Sequence, residues 1–220
     1  MNRYSIELTK TGYMKYISHL DLVRLFRNAF KKAGIKLVYS QGFNPHPKMS
    51  FAQPLSLGYS STCEVLEFET ENDYFPEEIT DSMNSIIPDG LLINRCNKIT
   101  AGKSFAARLY AAAYDITFPS GNQPFAGIQK LCESFLMQKS IIALKREKKA
   151  GTKRELDIRG MIRELSAETA GSNIILHAVL DSGSASNLSP ELLISSFVSF
   201  AGMDTEREDV EVKRVKMFFE

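Results

Sequence analysis

The apolar and polar positions of the first hundred residues follow two different periods. Residues 3–9 alternate between apolar and polar side chains, which predicts a half-buried strand. The segment that begins at Ser18 repeats instead every three to four positions, which predicts an amphipathic helix that ends at Gly34. Further strands are predicted at residues 35–39, 64–70 and 91–97, and a second helix at residues 75–90.

The second half of the chain repeats this succession of elements without visible sequence identity. Strands are predicted at residues 113–119, 140–145, 174–180 and 208–219, one or two more within 154–168, and helices at 124–138 and 189–201. Two successions of β-α-β-β-α-β predict an α+β fold of two tandem ferredoxin-like units with antiparallel sheets. The predicted domains are residues 1–100 and 101–220, with the boundary near residues 99–105.

The first helix opens on Ser18-His19-Leu20-Asp21. Ser18 is a favourable N-cap and Asp21 stands three residues later, as in a capping box. Residues of one helical turn cannot place a base between a nucleophile and an acid, so capping is favoured over a catalytic triad. His19 stays a candidate general base or RNA contact.

A long loop with two prolines, residues 40–58, follows the predicted strand at 35–39. Loops of this length are usually functional when they are not disordered, and the aromatic content argues against disorder. His46 lies between Pro45 and Pro47 and is a second candidate catalytic residue. Phe43 and Phe51 are interpreted either as base-stacking platforms or as anchors of the loop. The candidate binding residues of this loop are Gly42, Phe43, Asn44, His46 and Lys48.

Charge is distributed in blocks, although the net charge is only +1. Residues 1–60 carry nine Lys or Arg and two acids, whereas residues 61–100 carry two bases and nine acids. Residues 139–163 are again basic, with nine Lys or Arg against three acids. Such blocks are often only solvated faces, and the alternative is a polyanionic partner such as RNA.

Two groups of basic residues are the candidates for that contact. The spacing of three and four along the first helix places Arg24, Arg27 and Lys31 on one side. A basic hairpin is predicted around residues 150–152, which would project its charges on one ribbon or simply protect a sheet edge. Its candidate RNA or partner contacts are Lys148, Lys149, Lys153, Arg154 and Arg159, with Lys145 and Arg146 beside them.

Composition narrows the class of protein. The chain is 44% hydrophobic, without an apolar run long enough to span a membrane and without a recognisable secretory signal. Its three cysteines are widely spaced, which predicts a reducing, cytoplasmic location. With three histidines and no HxH, HExxH or CxxC motif, neither a metal site nor a cofactor is predicted.

Three motifs resemble those of the radical-SAM-linked family, a bacterial domain of unknown function. They are Ser18 to Asp21, Ser40 with Gly42 to Lys48, and Pro54 to Gly58. Members are typically encoded beside, or fused to, a cobalamin-binding-type radical SAM protein. A later patch, residues 153–162, is also similar, but Gly160 stands where the family usually has proline.

The resemblance implies a radical SAM protein as the partner. The chain lacks the CxxxCxxC sequence that ligates a radical SAM cluster, so it is not expected to be that enzyme. We therefore expect an accessory protein that binds or presents RNA, or a ribosome-related partner, for modification. Two alternatives stay open, namely an RNA-processing enzyme that uses His46 or His19, and a pure protein-docking module.

Overall fold

The computed structural model describes residues 2–100, 102–119, 127–146 and 153–220. Within these ranges the chain forms five α-helices and ten β-strands, so the predicted α+β class is confirmed. The helices are α1 His19–Lys32, α2 Pro76–Asn84, α3 Phe105–Arg108, α4 Ile128–Leu136 and α5 Pro190–Ala201. The strands are β1 Asn2–Lys10, β2 Met49–Phe51, β3 Ser60–Thr70, β4 Leu91–Ile99, β5 Leu109–Pro119, β6 Ile142–Arg146, β7 Lys153–Asp157, β8 Ile162–Ala170, β9 Asn173–Asp181 and β10 Glu211–Phe219.

The chain divides into two compact units, Met1–Leu109 with Phe219–Glu220 and Tyr110–Phe218. The strands of the first unit lie in the order β4-β1-β3-β2, and β1 is antiparallel to both of its neighbours. Those of the second lie in the order β10-β5-β9-β8. Apart from the β6–β7 hairpin, each unit therefore places its fourth, first, third and second strands side by side.

The β6–β7 hairpin is an insertion in the second unit, between α4 and β8. Its strands pair only with each other among the described residues, and Lys145 lies opposite Arg154. The predicted strand at 140–145 is thus β6, and the segment 154–168, for which one or two strands were predicted, contains β7 and the greater part of β8. The predicted turn at residues 150–152, and the start of the predicted helix at residues 124–126, lie outside the described residues.

The core of the first unit lies between α1 and one face of its sheet. The register places Tyr4 opposite Phe68 and Ile6 opposite Leu66, and all four side chains are buried. Phe26 of α1 is fully buried in the same cluster. The apolar stripe that the sequence predicts for this helix is therefore the side that packs on the sheet.

The predicted strand at residues 35–39 is wrong. This segment makes only two isolated bridges, and β2 takes the place beside β3. The backbone N–H of Val38 donates to the carbonyl of Glu69, whereas the Val38 carbonyl accepts from the N–H of Lys48. In a regular antiparallel ladder one residue exchanges both bonds with one opposite residue, so the divided bonds of Val38 do not continue a ladder.

Candidate nucleic-acid interface

The Ser-His-Leu-Asp sequence forms the N-terminal cap of α1. Ser18 Oγ accepts a hydrogen bond from the Asp21 backbone N–H at 3.2 Å and donates one to the Asp21 carboxylate at 2.7 Å. Arg24, one turn further on, contacts the same carboxylate at 2.8 Å. The Ser18 hydroxyl, followed by Arg24, holds the pKa of Asp21 below its ordinary value. The cap thus engages both Ser18 and Asp21, which supports capping over a triad.

A groove of about 740 Å³ runs along the C-terminal half of α1. Two of its cationic side chains come from the helix and one from the extended segment that follows Gly34. We call it the basic groove and define it by six polar lining residues: Arg27, Asn28, Lys31, Lys36, Tyr39 and Glu71. Three of the six are cations and one is an acid, so the groove is suited to an anionic ligand.

The basic groove contains some of the predicted binding residues and some that the sequence analysis missed. Arg27 and Lys31 line it, whereas Arg24 is not among its lining residues. Lys36 and Tyr39 were missed. Lys36 lies between the buried Ile35 and Leu37, so the local alternation was the signal that it points outward.

The tip of the long loop closes on itself. The Ser40 N–H donates to the His46 carbonyl at 2.8 Å, and the His46 N–H donates to Ser40 Oγ at 3.0 Å. Gly42 has a φ of +128°, a value that favours glycine, because side chains are crowded there. The result is a small closed turn that presents Phe43, Asn44 and the His46 side chain to solvent.

Lys48, at the base of this turn, is engaged by the sheet. Its Nζ lies 2.9 Å from Glu69 Oε2. A shallow pocket of about 380 Å³ beside it is lined by Ser40, His46 and Lys48 together with Glu67 and Glu69. Two acids in this pocket offset the charge of the lysine, so it is less suited to a phosphate than the basic groove.

The two phenylalanines of the loop have opposite environments. Phe43 is fully exposed, and Phe51 is only 6% exposed. The Phe51 ring packs edge-on against Phe26 at 5.8 Å and against His19 at 5.6 Å between ring centroids. Anchoring is therefore the role of Phe51, and only Phe43 keeps the geometry of a stacking platform.

Two buried charged side chains that were not among the predicted site residues lie near His19. Lys10 and Glu64 are each 1% exposed. Glu64 is the cross-strand partner of Leu8, and Lys10 lies two residues after Leu8, so both follow the buried face of the sheet. Burial lowers the pKa of His19, Lys10 adds to that effect, and Glu64 opposes it. The balance favours a neutral imidazole at pH 7.

The basic hairpin is present as β6–β7, but its candidate residues differ in what can be described. Lys148 and Lys149 lie outside the described residues, as does the side chain of Lys153. Arg154 is exposed. Arg159 is half-buried and donates from Nε to the Leu136 carbonyl at the end of α4, at 2.7 Å. That bond satisfies a terminal helix carbonyl, which gives Arg159 a structural role.

His177 lies between two acids on the sheet of the second unit. Its Nδ1 is 2.8 Å from Asp115 Oδ1, and its Nε2 is 3.5 Å from Glu168 Oε1. An acid faces each ring nitrogen, so the arrangement is a cluster of polar side chains from neighbouring strands. These contacts indicate a structural role for His177.

The remaining chemistry of the described residues is limited. Burial raises the pKa of the Cys96 thiol to about 12 and that of Cys132 to about 11, so both are protonated at neutral pH and poor nucleophiles. No group of three or more His, Cys, Asp or Glu side chains in the described ranges is arranged to hold a metal ion. No helix in the part of the chain that the structure describes is long and apolar enough to cross a membrane.

Comparison with known families identifies the chain. Residues 3–190 match the model of a family described as an uncharacterized protein conserved in bacteria, DUF2344. The chain belongs to this family. No protein of curated function matches it.

Solved structures with a similar fold exist at low sequence identity. A chain in the crystal structure of a Cbf5–Nop10–Gar1 complex is 12% identical, with a TM-score of 0.54 over 97% of this chain. The DUF2344 protein spans 48% of that chain's length. A crystal structure of an unknown protein from Galdieria sulphuraria is also 12% identical, covering 99% of this chain and 98% of its own, with a TM-score of 0.30. Of these two structures only the first has a TM-score above 0.5, and at 12% identity its likeness concerns the fold alone.

Proposed function

We propose that this DUF2344 protein is an accessory protein that binds RNA, or a ribonucleoprotein, and presents it to a radical SAM enzyme. The observation that carries the RNA part is the basic groove. The radical SAM part follows from the sequence resemblance of residues 18–58.

The spacing of the cations suits a phosphate backbone. Arg27 and Lys31 are one helical turn apart, a rise of about 6 Å, and Lys36 lies on the following extended segment. Three cations distributed over two segments are more than a single phosphate needs. Arg27 can bind a phosphate in a bidentate manner, while the two lysines act as point charges. Contacts of this kind give affinity and salt dependence without sequence specificity.

An aromatic side chain lies in the same groove. Tyr39 is 46% exposed and lines the groove together with Arg27 and Lys31 of α1. Tyrosine rings beside cations are a common arrangement for binding bases in RNA-binding proteins. Phe43, four residues later on the closed turn, offers a second exposed ring.

We also infer that both units are ferredoxin-like. The order β4-β1-β3-β2, with helices between the first and second and between the third and fourth strands, is that of the split β-α-β fold. The second unit has the same order with one inserted hairpin. RNA-recognition domains with four-stranded sheets share this plan, but that is an analogy of fold and carries no assignment of function.

The test is the salt dependence of RNA binding by the full chain. A fluorescein-labelled 12-nucleotide RNA is titrated in fluorescence anisotropy between 50 and 300 mM KCl. Three phosphate contacts predict a slope of about −2 for log K against log salt concentration, since each contributes roughly 0.7 on single strands. The variant Arg27→Gln/Lys31→Gln should reduce the magnitude of that slope by about 1.4.

The matched control removes the same charge elsewhere. Lys130 on α4 and Lys213 on β10 are exposed and lie outside the groove, so Lys130→Gln/Lys213→Gln should change the slope little. Equal slopes for both double variants would contradict RNA binding at the basic groove.

A pull-down from native extract at low and moderate salt tests the radical SAM part of the proposal. RNA recovered without a radical SAM protein would retain the first half of the proposal and overturn the second.

A further inference from the structure

Four large apolar side chains are exposed around the N-terminal end of α1. Tyr13 is 93% exposed, Tyr16 61%, Leu20 67% and Leu57 64%. We call these four residues the aromatic patch. They come from three segments: the 3-10 turn Gly12–Tyr16, the first turn of α1 and the loop that precedes β3. Exposed apolar side chains that collect in one region usually mark a binding surface.

Backbone contacts hold two of these segments in place. The Gly58 N–H donates to the Lys15 carbonyl at 2.8 Å, which ties the loop that carries Leu57 to the 3-10 turn. The Thr11 N–H donates to the Gly90 carbonyl at 2.8 Å. Gly90 is so close to this turn that a Cβ there would lie 2.7 Å from the Thr11 carbonyl oxygen. The backbone that carries the exposed Tyr13 and Tyr16 rings is therefore held in place.

The aromatic patch is continuous with the cations of α1. Leu20, Arg24, Arg27 and Lys31 are separated by four, three and four residues, and all four are exposed. At 100° per residue they form one stripe along the helix. The stripe runs from the aromatic patch to the basic groove over a rise of about 16 Å. A ligand that follows α1 thus meets apolar surface first and cations afterwards.

A further cation lies at the patch itself. Lys15 Nζ lies 5.3 Å from the centroid of the Tyr16 ring. An ammonium beside an aromatic face is the combination that binds a base together with its phosphate. A docking site for another protein would not need this pairing or the stripe of cations that continues from it.

We propose that the aromatic patch is a nucleobase-stacking site and that the RNA bound by this protein is single-stranded there. This inference rests on the proposed function. Bases in a duplex are already stacked on one another, so only unpaired bases can lie on Tyr13 and Tyr16. The backbone of the same strand would follow the stripe of α1 into the basic groove.

The experiment compares one 12-nucleotide RNA in two forms, single-stranded and annealed to its complement, by anisotropy at 100 mM KCl. The variant Tyr13→Leu/Tyr16→Leu keeps apolar bulk but removes the rings, and Tyr13→Phe/Tyr16→Phe keeps the rings. Phe75→Ala is the control, because Phe75 is 72% exposed at the start of α2 and outside the patch. Because the exchanged side chains are exposed, the variants should fold, which circular dichroism verifies.

We expect the wild type to prefer the single strand. The leucine pair should lose about ten-fold in affinity for each stacked base, while the phenylalanine pair and Phe75→Ala should bind as the wild type does. Equal affinity for both forms, or unchanged binding by the leucine pair, would overturn the stacking site and leave RNA binding intact. If the wild type binds neither form of RNA, the proposed function fails and the stacking site fails with it. If the leucine pair binds a protein from native cell extract as well as the wild type does, and the patch is where that protein binds, the patch is a docking surface for protein instead.

Discussion

Helices α1 and α4 hold the same place in their units, directly after the first strand, but only α1 is basic. Both are amphipathic and bury apolar side chains in the core of their own unit. α4 carries one lysine and one glutamate, whereas α1 carries four Lys or Arg and one aspartate. The shared apolar face follows from the need to cover a sheet. The cations of α1 are not needed for that, so they are the part of the helix to which function can be assigned.

The two units also differ in the connection that follows the first helix. In the first unit this connection is the segment after Gly34 with its closed turn at residues 40–46. In the second it contains the β6–β7 hairpin. Each unit thus keeps the same strand order and elaborates it at the same topological point. Loops on a constant scaffold are where function is usually added, and the features of this chain agree with that rule.

The largest effect should come from the feature that the two helices share. Phe26 of α1 and Phe135 of α4 are almost completely buried. Replacing either by alanine should lower the free energy of unfolding by about 3–5 kcal/mol, because a cavity is left in a packed core. Arg27→Ala, one residue away on the exposed face, should change it by less than about 0.5 kcal/mol. Urea unfolding followed by circular dichroism measures all three.

Two results would contradict this expected difference between the buried phenylalanines and the exposed Arg27. If Arg27→Ala were as destabilising as Phe26→Ala, the basic face of α1 would be structural and its assignment to RNA would lose its argument. A Phe135→Ala variant that unfolds like the wild type would instead show that α4 does not cover its sheet as α1 does.

The comparison also shows what the sequence could predict. Period and capping predicted α1 and α5 nearly to the residue, because Ser18 and Ser189 are N-caps and glycines follow both helices. The strand predicted at residues 35–39 does not form, because the conformation there depends on hydrogen bonds to Glu69 and Lys48. Competition between partners that are distant in the chain leaves no local pattern.

Some residues in and near the candidate site could be predicted from the sequence, and others could not. Arg27 and Lys31 were found from helical spacing, and Lys36 could have been found from alternation. Lys10 and Glu64 follow the inward alternation of their strands, but charged side chains are almost never fully buried, so the pattern alone does not predict their burial. Leu66 and Phe68 show which face of this strand points inward, and the register of β1 with β3 shows that the buried face extends to Glu64.

A smaller effect is expected at the hairpin of the second unit. Lys145 and Arg154 lie opposite each other on β6 and β7, and both are exposed. If the hairpin adds two phosphate contacts, Lys145→Gln/Arg154→Gln should weaken RNA binding several-fold and reduce the salt slope by about 1.4. An unchanged slope would show that the cations of β6–β7 only protect the edges of the hairpin, as lysines on exposed strands often do. RNA binding would then depend on the first unit alone.

The smallest effect concerns His19, and its sign is fixed by the direction of the pKa shift. Burial lowers the pKa of this histidine in the folded protein below its ordinary value of about 6.5; Glu64 opposes the lowering and Lys10 adds to it. Between the two pKa values the unfolded chain binds more protons than the folded chain. The free energy of unfolding should therefore fall as the pH drops below about 6.5. The carboxylates with lowered pKa values, such as Asp21 and Asp157, titrate in a more acidic range.

His19→Gln should remove this loss of stability between pH 7 and pH 5.5, while His46→Gln, on the exposed turn, should retain it. Urea unfolding of the three proteins at both pH values gives the comparison. The same pH dependence in the wild type and His19→Gln would mean that the imidazole is not shielded by the core beneath it. A neutral His19 would also keep RNA binding at the adjoining aromatic patch independent of pH between 6.5 and 8, because the ring would carry no charge for the phosphates to attract.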